Sequence, residues 1–263
     1  MKSKEIYLDN GATTKVDPEV IKAMLPYFDK EYGNASSAHT LGVNAKNAID
    51  KARGTIAESI NAKPEEIVFT SGGTESDNLA IQEIAYPNRD KRNHIITTKV
   101  EHKAIINTCK FLEKDGFKVT YLDVDKEGFV NPDALEKAIT NKTILVSIIH
   151  GNSETGTIQN LEELGKICKK HDVYFHIDAC QSYTKTEIDV QKQNLDLVTM
   201  SGHKIHGPTG VGALYIRKGT NIHPLMYGGD QELKLRPGTE NVSGIVGFAE
   251  AVKLADKKYI GYM

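Results

Sequence analysis

Short runs of β-branched and apolar residues recur along this chain, and helical patterns fill most of the gaps between them. The runs cover residues 67–70, 94–98, 118–122, 144–149, 173–177, 196–200 and 212–216. Several are apolar nearly throughout. That is the pattern of strands covered on both faces, not of strands with one wet side. Between them, Ala45, Ala48, Ile49, Ala52, Ile56 and Ile60 recur at spacings of three and four, which marks one helix face. Residues 132–139 open with a proline where a helix tolerates it. Leu161, Leu164, Ile167 and Cys168 also share a face. The expected fold is α/β: a mostly parallel seven-stranded sheet with helices on both faces. Ligands of such sheets sit beyond the carboxyl ends of the strands. Residues 249–263 read as a long helix still running where the sequence stops, with nothing obvious to pack against.

Composition narrows the partners. The chain has 263 residues, enough for one large or two modest domains. Its formal net charge of −2 gives no electrostatic argument for a nucleic-acid partner. The first residues lack the apolar stretch of a signal peptide, and no apolar run is long enough for a bilayer, so no membrane is expected. The three cysteines, Cys109, Cys168 and Cys180, form neither a CxxC pair nor a dense framework. A reducing, cytoplasmic setting is the expectation.

Lys204 stands directly beyond the apolar run 195–200, between His203 and Ile205-His206. A lysine at such a strand end is costly unless it has a task; on its own the stretch equally suits a surface loop lysine in a polar turn. Desolvation makes an amine nucleophilic and able to form a Schiff base, and pyridoxal phosphate (PLP) is the best-known partner for one. PLP also needs a phosphate cup and a carboxylate for its ring nitrogen.

Residues 70–80, with Gly72, Gly73 and Thr74, link a strand to a helix. Free N–H groups at that helix start suit a phosphate. The same residues equally suit a glycine turn with a loose capping box between Thr74 and Asp77. Asp178 ends a strand, where it can hold a pyridinium nitrogen protonated or simply cap the next turn. Gln181 can reach a phenolic oxygen, or serve as a turn residue. His102 follows another strand, where an imidazole can stack on a flat ring, or stand as a solvated loop histidine. All four features fall at strand ends of one sheet.

With these residues in place, the chain resembles the NifS/IscS-type cysteine desulfurases, of the class V aminotransferase group of fold-type I PLP enzymes. The matching stretches are 7–14, 33–39, 70–80, 101–104, 154–159, 178–181, 201–212 and 236–241, in preserved order. The resemblance implies that Lys204 is the Schiff-base lysine and His102 the stacked histidine. It implies that Asp178 is the ring-nitrogen partner and Gln181 the donor to the phenolic oxygen. Gly73, Thr74, Ser201 and His203 match the phosphate cup. Thr239 matches a threonine lent across a homodimer interface to the partner's phosphate. The implied cofactor is pyridoxal 5'-phosphate and the implied substrate L-cysteine. The implied product is alanine, with persulfide sulfur passed to sulfur-acceptor or iron–sulfur scaffold proteins. A related class V enzyme, such as a selenocysteine lyase or aminotransferase, and a non-catalytic dimerising scaffold are the competing readings.

Three departures accompany the resemblance. Ser153 stands where the family has a second asparagine, and Thr209 where its glycine-rich turn often has lysine. The third is length. The family's C-terminal small domain, with its persulfide-forming cysteine loop and substrate-gripping arginine, is expected to be largely missing. Residues 1–15 are then a segment that would join that domain, 16–250 the PLP-binding large domain, and 251–263 the start of a connecting helix. Cys180 lies between two cofactor-facing positions, but a small buried thiol is its expected state. Turnover by this chain alone is expected to be weak or nil.

Overall fold

The computed structural model describes residues 6–258. The strands are β1 (Ile67–Thr70), β2 (His94–Thr98), β3 (Lys118–Leu122), β4 (Thr143–Ile149), β5 (Tyr174–Asp178), β6 (Leu197–Ser201) and β7 (Gly212–Ile216). The helices are α1 (Pro18–Met24), α2 (Pro26–Asp29), α3 (Thr40–Glu58), α4 (Gly73–Asn88), α5 (Lys103–Lys114), α6 (Pro132–Ala138), α7 (Leu161–Lys170) and α8 (Val242–Lys258). All seven strands join one sheet in the order β1-β7-β6-β5-β4-β2-β3. Only β7 runs against its neighbours, pairing antiparallel with β1 and β6. The carboxyl ends of the other six therefore share one edge. The mostly parallel seven-stranded sheet expected from the apolar runs is the one observed.

Most of the runs are buried because both sheet faces are covered, while the edge strand β3 is partly exposed. Side chains alternate between the faces with the period of two. Ile67, Phe69, Phe175, Ile177, Val198 and Met200 join a core built with α3, α7 and α8. Val68, Ile95, Leu145, Leu197 and Leu214 join a second core with α4 and α5.

The C-terminal helix differs from the sequence expectation. It begins at Val242 and is well packed: Ile245, Phe248, Ala249, Ala251, Val252, Leu254 and Ala255 are buried, and the helix lies on α3 and α1. Alanine and glycine make its pattern look weakly apolar in sequence, yet small residues allow close helix contact. Residue 250 falls inside this helix, and 259–263 and 1–5 lie outside the described residues. No described helix is long and apolar enough to cross a membrane.

Two connections shape the site edge. The start of β7 must be glycine. A Cβ on Gly212 would lie 2.6 Å from the Met200 carbonyl oxygen and 2.7 Å from Gly72 Cα. That contact lets the β1–α4 loop settle over β7. The N-terminal segment then crosses the edge: Thr14 donates to the His203 carbonyl from its N–H at 3.0 Å and from its hydroxyl at 2.8 Å.

Candidate active site

The loop after β1 turns sharply into α4. Gly72 adopts φ 150°, which glycine alone tolerates readily. It is the helix N-cap and offers no side chain to the first turn. The capping box between Thr74 and Asp77 is not formed. The first-turn N–H groups are thus left for an anion, with the helix dipole behind them. The surrounding loop is fixed elsewhere: Thr70 Oγ1 meets Ser76 Oγ at 2.8 Å, and the Ser71 N–H donates to Glu75 at 2.9 Å. Gly73 packs directly on Cys180, whose sulfur leaves no room for a Cβ.

Strand β5 delivers Asp178, buried to 4% exposure. Its Oδ1 accepts the Cys180 N–H at 2.9 Å. It therefore caps the next turn, as one sequence reading expected, and leaves its carboxylate at the strand end. Strand β6 delivers buried Ser201 and then a single 3-10 turn, Gly202–Lys204. Lys204 is half-buried rather than buried. Its amine donates to the carbonyl oxygens of Gly11 and, at 2.9 Å, of Ala12. Gln181 Nε2 donates to that same Gly11 oxygen at 2.8 Å. His203 Nδ1 meets Thr13 Oγ1 at 3.0 Å. Beyond β2, His102 is the N-cap of α5 and its Nδ1 accepts the Ala104 N–H at 3.2 Å. The ring is exposed, yet one of its nitrogens lies within 4.8 Å of carboxylate oxygens of both Asp77 and Asp178.

The sheet edge therefore gathers Gly73, Thr74, His102, Asp178, Gln181, Ser201, His203 and Lys204. Thr239 stands apart. It is exposed on the loop that Arg236 ties to Glu75 at 2.8 Å, and among the described residues it hydrogen-bonds to none of the others. Ser153 is also exposed, and its hydroxyl donates to Glu154 at 3.3 Å.

Several site residues escaped the sequence reading. Asp77 is buried to 1% exposure, and burial, then Asp178, pushes its carboxyl well above the usual range. Glu101 is raised to about 8, chiefly by burial, although Thr98 and the Ile149 N–H both donate to it. Lys185 shares a cavity of about 320 Å³ with Lys204, Asn10, Gly11 and His206. Burial and the Lys204 charge both lower its proton affinity. Asp77 looked like part of a capping box, and Lys185 carries no local signal. A larger cleft, about 580 Å³, lies at the opposite edge of the sheet. Its arginines Arg92 and Arg217 are engaged by Asp172 and Asp196.

The sequence matches the aminotransferase class-V family over residues 6–261. The chain belongs to that family. It is 53% identical over 252 residues to a cysteine desulfurase IscS of Dictyoglomus turgidum, covering 96% of this chain and 64% of that protein. A cysteine desulfurase IscS of Methanosarcina thermophila is 54% identical over 253 residues, with 96% and 63% covered. The structure of a NifS-like protein superposes with a TM-score of 0.95 at 44% identity, over 97% of this chain and 70% of that one. SspA in complex with cysteine gives 0.93 at 44%, over 95% and 72%. The chain thus spans under two thirds of the length of these IscS relatives.

Family members are PLP-dependent. The residues present fit that group. The uncapped α4 start suits a phosphate, the buried Asp178 a protonated ring nitrogen, His102 a ring face, and Lys204 an aldehyde carbon.

Proposed function

We propose that this chain is the PLP-binding part of a cysteine desulfurase, acting on L-cysteine to give L-alanine and transferable sulfur. The observation that carries this reading is the convergence of Lys204, Asp178, His102 and the uncapped start of α4 at one sheet edge. When bound, PLP supplies an electron sink for the substrate α-carbon. Asp178 would keep the ring nitrogen protonated, and His102 would cover the ring. The N–H groups of Gly73 and Thr74, with Ser201 and His203, would hold the phosphate. Lys204 would anchor the aldehyde and, once released, move protons at the substrate α-carbon. Gly11 and Ala12 hold its amine at the rim until then.

Sulfur removal also needs a thiolate to attack the substrate sulfur. None of the chain's cysteines suits that role: Cys109 and Cys168 are buried in the core, and the Cys180 thiol is packed on Gly73. The nucleophile must come from outside these 263 residues. The same holds for sulfur-acceptor or iron–sulfur scaffold partners. Exposed Thr239 fits a homodimer in which it completes the partner's phosphate site.

The test is reconstitution with PLP, borohydride reduction and peptide mass spectrometry. A visible absorbance band and a pyridoxyl group fixed on Lys204, both lost in Lys204→Ala, are expected. A wild-type chain that binds no PLP, or an unchanged adduct in the variant, would sink the reading. Cysteine should perturb the band without releasing alanine until a nucleophilic thiol that can accept the sulfur is supplied.

A further inference from the structure

Two carboxyl groups lie together at the back of this site. Asp77 comes from α4 and Asp178 from β5, at 1% and 4% exposure. Their oxygens and a His102 nitrogen all fall within 4.8 Å of one another. Two buried carboxylates this close cannot both hold a full negative charge without a cation between them.

Among the described residues, no such cation faces Asp77. His176 Nε2 is 3.8 Å from Asp77 Oδ1, too far for a hydrogen bond. Both His176 nitrogens are already occupied, Nδ1 by Ser147 Oγ at 2.8 Å and Nε2 by Thr199 Oγ1 at 3.0 Å. Burial lowers that imidazole to about 3, so it is neutral. The other titratable groups facing Asp77 are Glu101 and Cys180, which add no positive charge. His102 is exposed, and its Nδ1 is taken up by the Ala104 N–H.

The pair is therefore left with one proton to place, and the contacts of its members are unequal. Asp178 Oδ1 receives the Cys180 N–H at 2.9 Å, which favours a carboxylate. Asp77 Oδ1 is buried with no hydrogen-bond partner, which disfavours one, and the Thr199 hydroxyl, shared with His176, offsets that burial only in part. We infer that Asp77 is a positioning residue for Asp178: a carboxylic acid that keeps the shared proton and donates toward Asp178, so that Asp178 faces the PLP ring nitrogen as a carboxylate. This rests on the PLP-binding reading above. The division of labour resembles other sites where environment forces two acids apart.

The test uses protein labelled with 13C at the aspartate carboxyls, with and without PLP. Signals are assigned by their loss in Asp77→Asn and Asp178→Asn. The Asp77 signal is expected to titrate at distinctly higher pH than that of Asp178. The reverse order, or titration of both in the ordinary carboxylate range, overturns the inference. A second readout is PLP affinity by fluorescence. Asp77→Asn keeps a donor and should bind PLP within about threefold of wild type, whereas Asp77→Leu, with none, should lose roughly tenfold. Equal behaviour of the two variants would reduce Asp77 to packing and overturn the role. Should wild type bind no PLP, the functional reading and the role toward the ring both fall. The proton order in the cofactor-free protein is still read by the titration.

Discussion

The sulfur of Cys180 occupies the space that a side chain on Gly73 would need. The turn after β5 and the first residue of α4 are thereby locked together, and the carboxylate of Asp178 is held to the candidate phosphate cup through one residue. Gly73→Ala should cost about 1–3 kcal/mol through overpacking, although alanine is the better helix former. The Cβ would stand 3.9 Å from Cys180 Cβ, an ordinary contact. Cys180→Ala should therefore restore most of the loss in the double variant. Urea midpoints of the four proteins measure this, and additive losses would contradict the lock.

That same packing makes Cys180 a poor nucleophile. Burial, then the Asp178 and Asp77 charges, push its thiol well above the usual range. Cys109 is pushed up to about 12 and Cys168 also upward, both mainly by burial. At pH 8 a thiol near 12 is ionised only about one part in ten thousand. Native protein treated with iodoacetamide should stay largely unmodified while urea-unfolded protein reacts at all three positions. Peptide mass spectrometry reads the outcome, and rapid native alkylation of Cys180 would reopen it as a sulfur acceptor.

The strands were legible because their signal is local. Residues 67–70, 94–98, 118–122 and 212–216 are strands as read; 144–149 gains one residue at its start, and 173–177 and 196–200 are each shifted by one residue. Lys204, Asp178 and His102 could be singled out since each follows an apolar run. The packing of α8 was not legible, because its partners α1 and α3 lie some two hundred residues earlier. Nor was the role of Asp77. Its spacing from Thr74 resembles a helix cap, and only the strand order, with β5 set two strands from β7, brings Asp178 beside it. Gly11 is the clearest case. Nothing in its neighbourhood says that its carbonyl will receive both Lys204 and Gln181.

A second anchor holds the loop that carries Arg236 and Thr239. Glu232 is buried, pairs with Arg53 at 2.7 and 2.8 Å, and accepts the Phe69 N–H at 2.7 Å. The Arg53 guanidinium lies 4.8 Å over the Phe69 ring. The backbone at Glu232, Leu233 and Lys234 has φ of 43°, 61° and 66°, a strained run sustained by these contacts. Glu232→Ala leaves a largely buried guanidinium without its carboxylate and should cost about 3–5 kcal/mol. Replacing both partners by apolar residues should cost less than Glu232→Ala alone. Chemical denaturation checks both, and a loss near zero for Glu232→Ala would mean that the pair is solvated in solution.

Glu101 provides the clearest pH signature. Its carboxyl is raised to about 8 in the folded chain, from an ordinary value of 4.5, mainly by burial. One of its oxygens, Oε2, is buried with no partner. The folded state thus binds a proton that the unfolded chain releases above about pH 4.3. The stability linked to this proton is fully present below that pH and drains away as pH rises through about 8. Glu101→Gln keeps an oxygen for Thr98 and Ile149 but has no proton to lose. The variant should therefore unfold at nearly the wild-type temperature near pH 4, and at an increasingly higher one up to about pH 8. Thermal unfolding of the cofactor-free proteins across that range gives the comparison. Parallel curves would show that Glu101 reaches solvent and ionises normally.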